Sequence, residues 1–157
     1  MDREVIDEKL ESLRHRAGRA REKNCAGRAR EQRCAGRIRE KRPANPDVFV
    51  QDYDLQDIVA LNLTRAVQLC VDVGAHIIAG GERPPPDTMS ETFDAMAQTG
   101  ILDRNLADRM KKAVGFRNVA VHSYRSIDWA IVHAICQNHL DDFDDFASAV
   151  VSHMERK

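Results

Sequence analysis

The sequence predicts an all-α bundle of about five helices, the first of them elongated and basic. Three observations lead there. Apolar residues recur at spacings of three and four over long segments, which marks one helical face. Prolines, glycines and capping residues punctuate those segments. No convincing alternation of period two is present, and with 5% aromatic and 31% charged residues the composition suits helices with wet faces better than a β-sandwich. At 157 residues the chain is one domain in length, 1–157, and can bury a core without staples.

The first predicted helix runs from Asp2 to about Arg42, on the stripe Ile6, Leu10, Leu13, Ala17 and Ala20. Within it, residues 16–42 hold three tandem nine-residue repeats, Arg16–Asn24, Cys25–Arg33 and Cys34–Arg42, each x-Ala-Gly-Arg-x-Arg-Glu-x-x. Nine residues turn a helix by ~900° and eighteen by ~1800°, so two added repeats restore the face and return Ile38 to the stripe. The spacing therefore predicts a lengthened helix. Arg14–Arg42 also carries twelve of the 24 basic residues and only three acids, so a chain of net charge −1 segregates its charge strongly. Such a surface suits an anionic partner, with Arg28, Arg30, Arg37 and Arg39 as candidate RNA-binding cations. A solvated helix face is the plainer alternative.

Pro43 and Pro46 are predicted to stop this helix, and Asp52 or Asp54 to cap the second. Leu55, Ile58, Val59, Leu63, Ala66, Val67, Cys70, Val73 and Ile77 give that helix a broad apolar stripe ending at Gly80-Gly81, so it is the main core element. Thr88-Met-Ser-Glu91 reads as a capping box for a short third helix ending near Gly100. Asp103 caps the fourth, and Ser126 or Asp128 opens a fifth on Ile131, Ile135, Phe143, Phe146, Val150 and Met154. The run Asp141, Asp142, Asp144, Asp145 on that helix reads as a solvated face or as a docking surface for a basic partner.

Cys25, Cys34, Cys70 and Cys136 form neither a CxxC nor a Cys/His cluster, which predicts reduced structural thiols. The six histidines have no metal-site spacing, and no metal or other cofactor is expected. No secretory h-region or apolar run of membrane length is evident, so a soluble cytoplasmic protein without a membrane partner is expected.

Chemistry concentrates in Gly115–Tyr124, Gly-Phe-Arg-Asn-Val-Ala-Val-His-Ser-Tyr, where Arg117, Asn118, His122 and Tyr124 interrupt an apolar stretch expected to enter a core. Polar groups in such a place cost stability unless they have partners or a role. Arginine supplies a planar cation suited to phosphate, histidine carries protons near neutral pH, and tyrosine offers a hydroxyl. That set suffices for phosphodiester cleavage without a metal. Arg117 and His122 are five residues apart, about 140° around a helix, so a joint site needs a kink, a helix end or a second subunit. Read alone, His122 is more often a structural histidine, and Tyr124 a tyrosine closing a helix with its ring packed.

The pattern Arg117-x4-His122-x-Tyr124 resembles the Arg-x4-His-x-Tyr motif of the HEPN superfamily, specifically the HepT-like toxins paired with minimal nucleotidyltransferase antitoxins. The likeness extends over Met1–Leu13 and Ile38–Val151, with Ile127-Asp128 opening the next helix as in that family. Ala120 is smaller than the branched aliphatic usual there, and the N-terminal arm is longer. The resemblance implies a HEPN-type bundle and a metal-independent endoribonuclease toxin acting on tRNA or mRNA, as a homodimer or higher homo-oligomer with two motifs meeting across a cleft. It further implies His122 as the proton carrier, Arg117 as the stabiliser of phosphate charge, Asn118 as an orienting group, and Tyr124 as the acceptor of AMP from a cognate nucleotidyltransferase antitoxin. The alternatives are a non-catalytic nucleotide- or RNA-binding HEPN scaffold for such a partner, and an unrelated basic-helix RNA-binding protein.

Overall fold

The computed structural model describes residues 3–14 and 34–156, and every regular element among them is helical. In order these are α1 (Arg3–Arg14), α2 (Cys34–Lys41), α3 (Pro46–Gln51), α4 (Tyr53–Ala79), α5 (Met89–Gln98), α6 (Arg104–His122), a 3-10 turn (Tyr124–Ser126), α7 (Trp129–Asn138) and α8 (Asp141–Glu155). The 27-residue α4 is the axis, and α1, α2, α3, α5, α6 and α8 all pack on it. Its stripe is buried as the periodicity predicts: Val59, Leu63, Ala66, Val67, Cys70, Val73 and Ile77 all lie in the core. By length and composition α4 could also cross a membrane, contrary to the sequence expectation that no such run exists, but 56% of its apolar window is buried inside this bundle.

The helix ends follow local chemistry. Asp52 caps α4 by accepting from Leu55 N at 3.0 Å, and Asp103 caps α6 by accepting from Leu106 N at 2.7 Å. Thr88 and Glu91 form the predicted capping box on α5. That helix closes at Gly100, whose φ of 76° lets Ile101 N reach Met96 O at 2.9 Å while Gly100 N reaches Ala97 O at 3.1 Å, the Schellman pairing. Asp128, rather than Ser126, caps α7, accepting from Ala130 N at 3.0 Å.

Three expectations are corrected. First, α1 and α2 touch each other. In one straight helix Arg14 and Cys34 would stand ~30 Å apart, so α1 and α2 are not two ends of a single lengthened rod. Ile6 and Leu10 of α1 and Ile38 of α2 are nevertheless all buried. The Leu13 side chain, Ala17, Ala20, Cys25, Arg28 and Arg30 lie outside the described residues. Second, Pro46 begins a helix instead of ending one: it occupies the first turn of α3, where a missing N–H costs nothing, with Asn45 as the cap. Buried Gln56 ties α3 to α4 by donating to Phe49 O and Val50 O at 3.0 and 2.9 Å.

Third, the predicted last helix is two helices, broken at His139 and Leu140. Val132, Cys136, Leu140, Phe143, Ala147 and Val150 keep helical spacing across the break and are all buried, so periodicity does not reveal it. Ile131, placed on the stripe by the sequence, is 59% exposed. The acidic run supplies a reason for the break. Asp141 and Asp144 receive Arg39 of α2 at 2.9 and 2.8 Å, and Asp142, itself buried, receives Arg109 of α6 at 2.5 Å. Carboxylates in the first turn of α8 also complement its N-terminal dipole. The run is thus only in part the solvated face the sequence suggested: Asp141 and Asp145 are exposed, while Asp142 and Asp144 are more buried, and the run's ion pairs link α8 to α2 and α6.

Cys34, Cys70 and Cys136 are free and buried, as expected for reduced thiols. Burial raises all three above the usual thiol range, Cys136 to about 12.

Where α4 meets α5, a Cβ on Gly74 would lie 2.7 Å from both Met96 Sδ and Thr92 Cγ2. Overpacking of this kind costs about 1–3 kcal/mol, against the roughly 1 kcal/mol that alanine gains over glycine inside a helix. Gly74→Ala is therefore expected to lower the thermal midpoint, and adding Thr92→Ser, which removes Cγ2, to restore part of it. A midpoint raised by Gly74→Ala would show that Met96 and Thr92 yield freely.

Candidate functional site

The four motif residues sit at the end of α6 and in the 3-10 turn after it. Only the N-terminal half of α6 is core: Leu106, Ala107, Met110 and Val114 are buried. The last two turns are less buried, with Val119 39% and Val121 48% exposed. Of the motif's apolar residues Phe116 packs against the core and Ala120 is half-buried, as the sequence suggested, whereas Val119 and Val121 are exposed, as are Asn118 and His122.

Arg117 is half-buried and faces α4. It donates to Gln68 Oε1 and to Asn118 Oδ1, each at 3.4 Å, and its Nε is buried with no hydrogen-bond partner among the described residues. Gln68 is held in turn, its Nε2 donating to Asp72 Oδ1 at 2.9 Å, while Asp72 Oδ2 lies 3.4 Å from Lys9 Nζ of α1. Because an ionised carboxylate only accepts, Asp72 fixes the amide so that its oxygen faces Arg117. The relay Lys9, Asp72, Gln68, Arg117 therefore orients the cation from behind.

The His122 side chain makes no hydrogen bond among the described residues. Since α6 is unbroken through His122, Arg117 and His122 stay about 140° apart around its axis, and this single chain does not bring them together.

Tyr124, at the start of the 3-10 turn, is 39% exposed. Its ring stands edge-on to Trp129, with centroids 5.8 Å apart, and Trp129 lies 5.5 Å from the fully buried Phe49. Its hydroxyl donates to Asp57 Oδ1 of α4 at 2.5 Å. Partial burial, and then the bond to and charge of Asp57, push that hydroxyl above its ordinary range.

The sequence reading missed Asp57, Gln68 and Asp72. A signal was present: Asp57, Leu61, Thr64, Gln68 and Asp72 recur at spacings of three and four, a second and mostly polar stripe on a helix read only for its apolar one. The stripe meets α6 in antiparallel sense, Gln68 at Arg117 and Asp57 at Tyr124.

Of the candidate RNA-binding cations, Arg37 is exposed, whereas Arg39 is committed to Asp141 and Asp144 and is not free for phosphate. An apolar groove of about 470 Å³ lies between α6 and α7, lined among others by Val67, Phe116, Val119 and Ile135. It occupies another face of α6, and none of the four motif residues lines it. Among the described residues no His/Cys/Asp/Glu group has the arrangement of a metal site.

Comparison with known proteins bears on this geometry. The ribonuclease HepT-like family matches residues 32–150. The mRNA nuclease HepT of Shewanella oneidensis is 38% identical over 102 residues, which are 65% of this chain and 77% of that protein. A solved structure of a tri-AMPylated Shewanella oneidensis HEPN toxin in complex with an MNT antitoxin is similar at a TM-score of 0.78 and 30% identity, covering 97% of this chain and 99% of that one. A toxin–antitoxin structure with AMP-PNP gives 0.77 at 30% identity, over 96% and 99%. The cytosolic protein YutE of Bacillus subtilis shares the fold, with a TM-score of 0.73 at 15% identity. With an all-helical architecture, the Arg-x4-His-x-Tyr residues at the exposed end of α6 and a family match across most of its length, this chain belongs to the ribonuclease HepT-like family.

Proposed function

We propose that this chain is the toxin of a toxin–antitoxin pair: an endoribonuclease that acts as a homodimer without a metal and is silenced when a nucleotidyltransferase antitoxin transfers AMP to Tyr124. The observation that carries the reading is the placement of Arg117, Asn118 and His122 on the last turns of α6, with Tyr124 in the turn after it, in a chain 38% identical over 102 residues to an mRNA nuclease.

The chemistry follows from the residue types. A ribose 2′-hydroxyl attacks the adjacent phosphorus, the 5′-oxygen leaves, and His122 carries the protons that attack and departure require. Arg117 stabilises the charge gathering on the phosphate oxygens, and its orientation by Gln68 means that little reorganisation is needed when the charge develops. Asn118, exposed beside them, orients the phosphate or His122. The 140° between Arg117 and His122 and the exposed Val119 and Val121 support a site shared between two chains, in which the ends of two α6 helices pack together and the arginine of one protomer faces the histidine of the other. AMP on Tyr124 adds an anionic phosphate and a bulky nucleoside two residues from His122, which opposes RNA phosphate both electrostatically and sterically.

His122→Ala and Arg117→Ala are each expected to reduce RNA cleavage by about 10²–10⁴-fold while the protein stays folded. EDTA should leave wild-type turnover unchanged, and inhibition reversed by one divalent ion would replace the metal-free mechanism.

The shared site has its own signature. A heterodimer of His122→Ala and Arg117→Ala protomers keeps one pair with both groups intact, so mixing the two inactive variants under subunit exchange should restore cleavage. No restoration, with exchange verified by mass, would place both residues of a site on one chain.

A further inference from the structure

We propose that Asp57 is the proton acceptor when Tyr124 is nucleotidylated, so that the chain being modified supplies a group to the reaction that modifies it. This rests on the reading of Tyr124 as the AMP acceptor.

Asp57 is the carboxylate in contact with the reacting atom, its Oδ1 receiving the Tyr124 hydroxyl at 2.5 Å. Its neighbours are otherwise placed: Asp52 caps α4 through Leu55 N, and Asp128 caps α7 through Ala130 N. The tyrosine ring is set by Trp129, itself packed on Phe49, so the hydroxyl is directed at Asp57 by a buried aromatic stack as well as by its own bond. Both side chains remain exposed, leaving room for a nucleotide to approach.

The chemistry needs such a group. A tyrosine hydroxyl, with an ordinary pKa of about 10, is almost wholly protonated at neutral pH. Here burial and Asp57 raise it further, so free phenolate is scarcer still. The proton must then leave as the new bond forms. In the balanced step, Tyr124 Oη bonds to the α-phosphorus of a nucleoside triphosphate, the bond from that phosphorus to the α,β-bridging oxygen breaks, pyrophosphate departs, and the phenolic proton passes to Asp57 and then to water. The modified tyrosine has lost its donor, so the ionised Asp57 faces a phosphodiester of like charge. Repulsion directs the added nucleotide away from α4.

The test is the initial rate of AMP incorporation, read by intact-protein mass, for the full-length chain with its cognate nucleotidyltransferase antitoxin and ATP. Asp57→Asn is nearly isosteric and still accepts a hydrogen bond from the hydroxyl, but is not a base. It is expected to lower kcat by about 100-fold or more, with the KM for ATP, the affinity for the antitoxin and the melting temperature unchanged. Asp57→Glu, which restores a carboxylate, should recover part of the rate. A merely positional role would leave Asp57→Asn near the wild-type rate, and that result would overturn the proposal. Tyr124→Phe separates the two ideas. Continued modification of Tyr124→Phe removes the acceptor reading and Asp57's role with it, whereas loss of modification there beside a normal Asp57→Asn rate removes the role of Asp57 alone.

Discussion

The packing of α4 against six other helices is the constraint from which the rest of the molecule follows. A 27-residue helix offers more than one face, and this one uses two for different ends. Its apolar stripe is the core, so α1, α2, α5, α6 and α8 each have an apolar surface to place against it. Its second stripe, Asp57 through Gln68 to Asp72, lies beside the less buried end of α6, and there polar groups can be partly wet and still meet the motif. Because both stripes belong to one rigid rod, Arg117 and Tyr124 are set relative to each other by the same element that holds the fold together.

That arrangement explains how a site can be built on the weakly packed end of a helix. Beyond Val114 no residue of α6 is fully buried, and a helix end in that condition would ordinarily fray. Two side-chain attachments on opposite sides of the motif restrain it. Arg117 is tied back through Gln68 and Asp72 to Lys9, and Tyr124 is tied through Asp57 and Trp129. Asn118 and His122, between these ties, stay accessible. A group that moves protons needs access to substrate, whereas a group that stabilises charge works best when already oriented.

The ion pairs at the other end of the bundle serve a structural purpose. Arg39 and Arg109 meet four closely spaced carboxylates at the start of α8, which holds α2 and α6 at the helix terminus where negative charge is most favourable. Arg42 acts similarly at the end of α7, donating to Cys136 O at 2.8 Å. Part of the basic character of the third repeat is therefore absorbed within the chain.

The sequence by itself determined the helical class, the core stripe of α4, the capping residues Thr88 and Asp103, and the motif from Arg117 to Tyr124. Each depends on neighbours within about one helical turn or on a period that repeats along one helix, and such patterns are legible in one dimension. Tertiary structure decided what depends on a partner distant in sequence. The break between α7 and α8 leaves the apolar spacing undisturbed and is matched by ion pairs to Arg39 and Arg109, some 100 and 33 residues away. The exposure of Val119 and Val121 depends on which faces of α6 the other helices cover, not on their own apolar character. Asp57 and Gln68 gain their significance only when α4 and α6 lie antiparallel, which brings residues 67 and 49 positions apart within hydrogen-bonding distance. A polar residue on a mostly apolar helix looks alike in sequence whether it meets water or a functional group; the packing of the second helix decides between them.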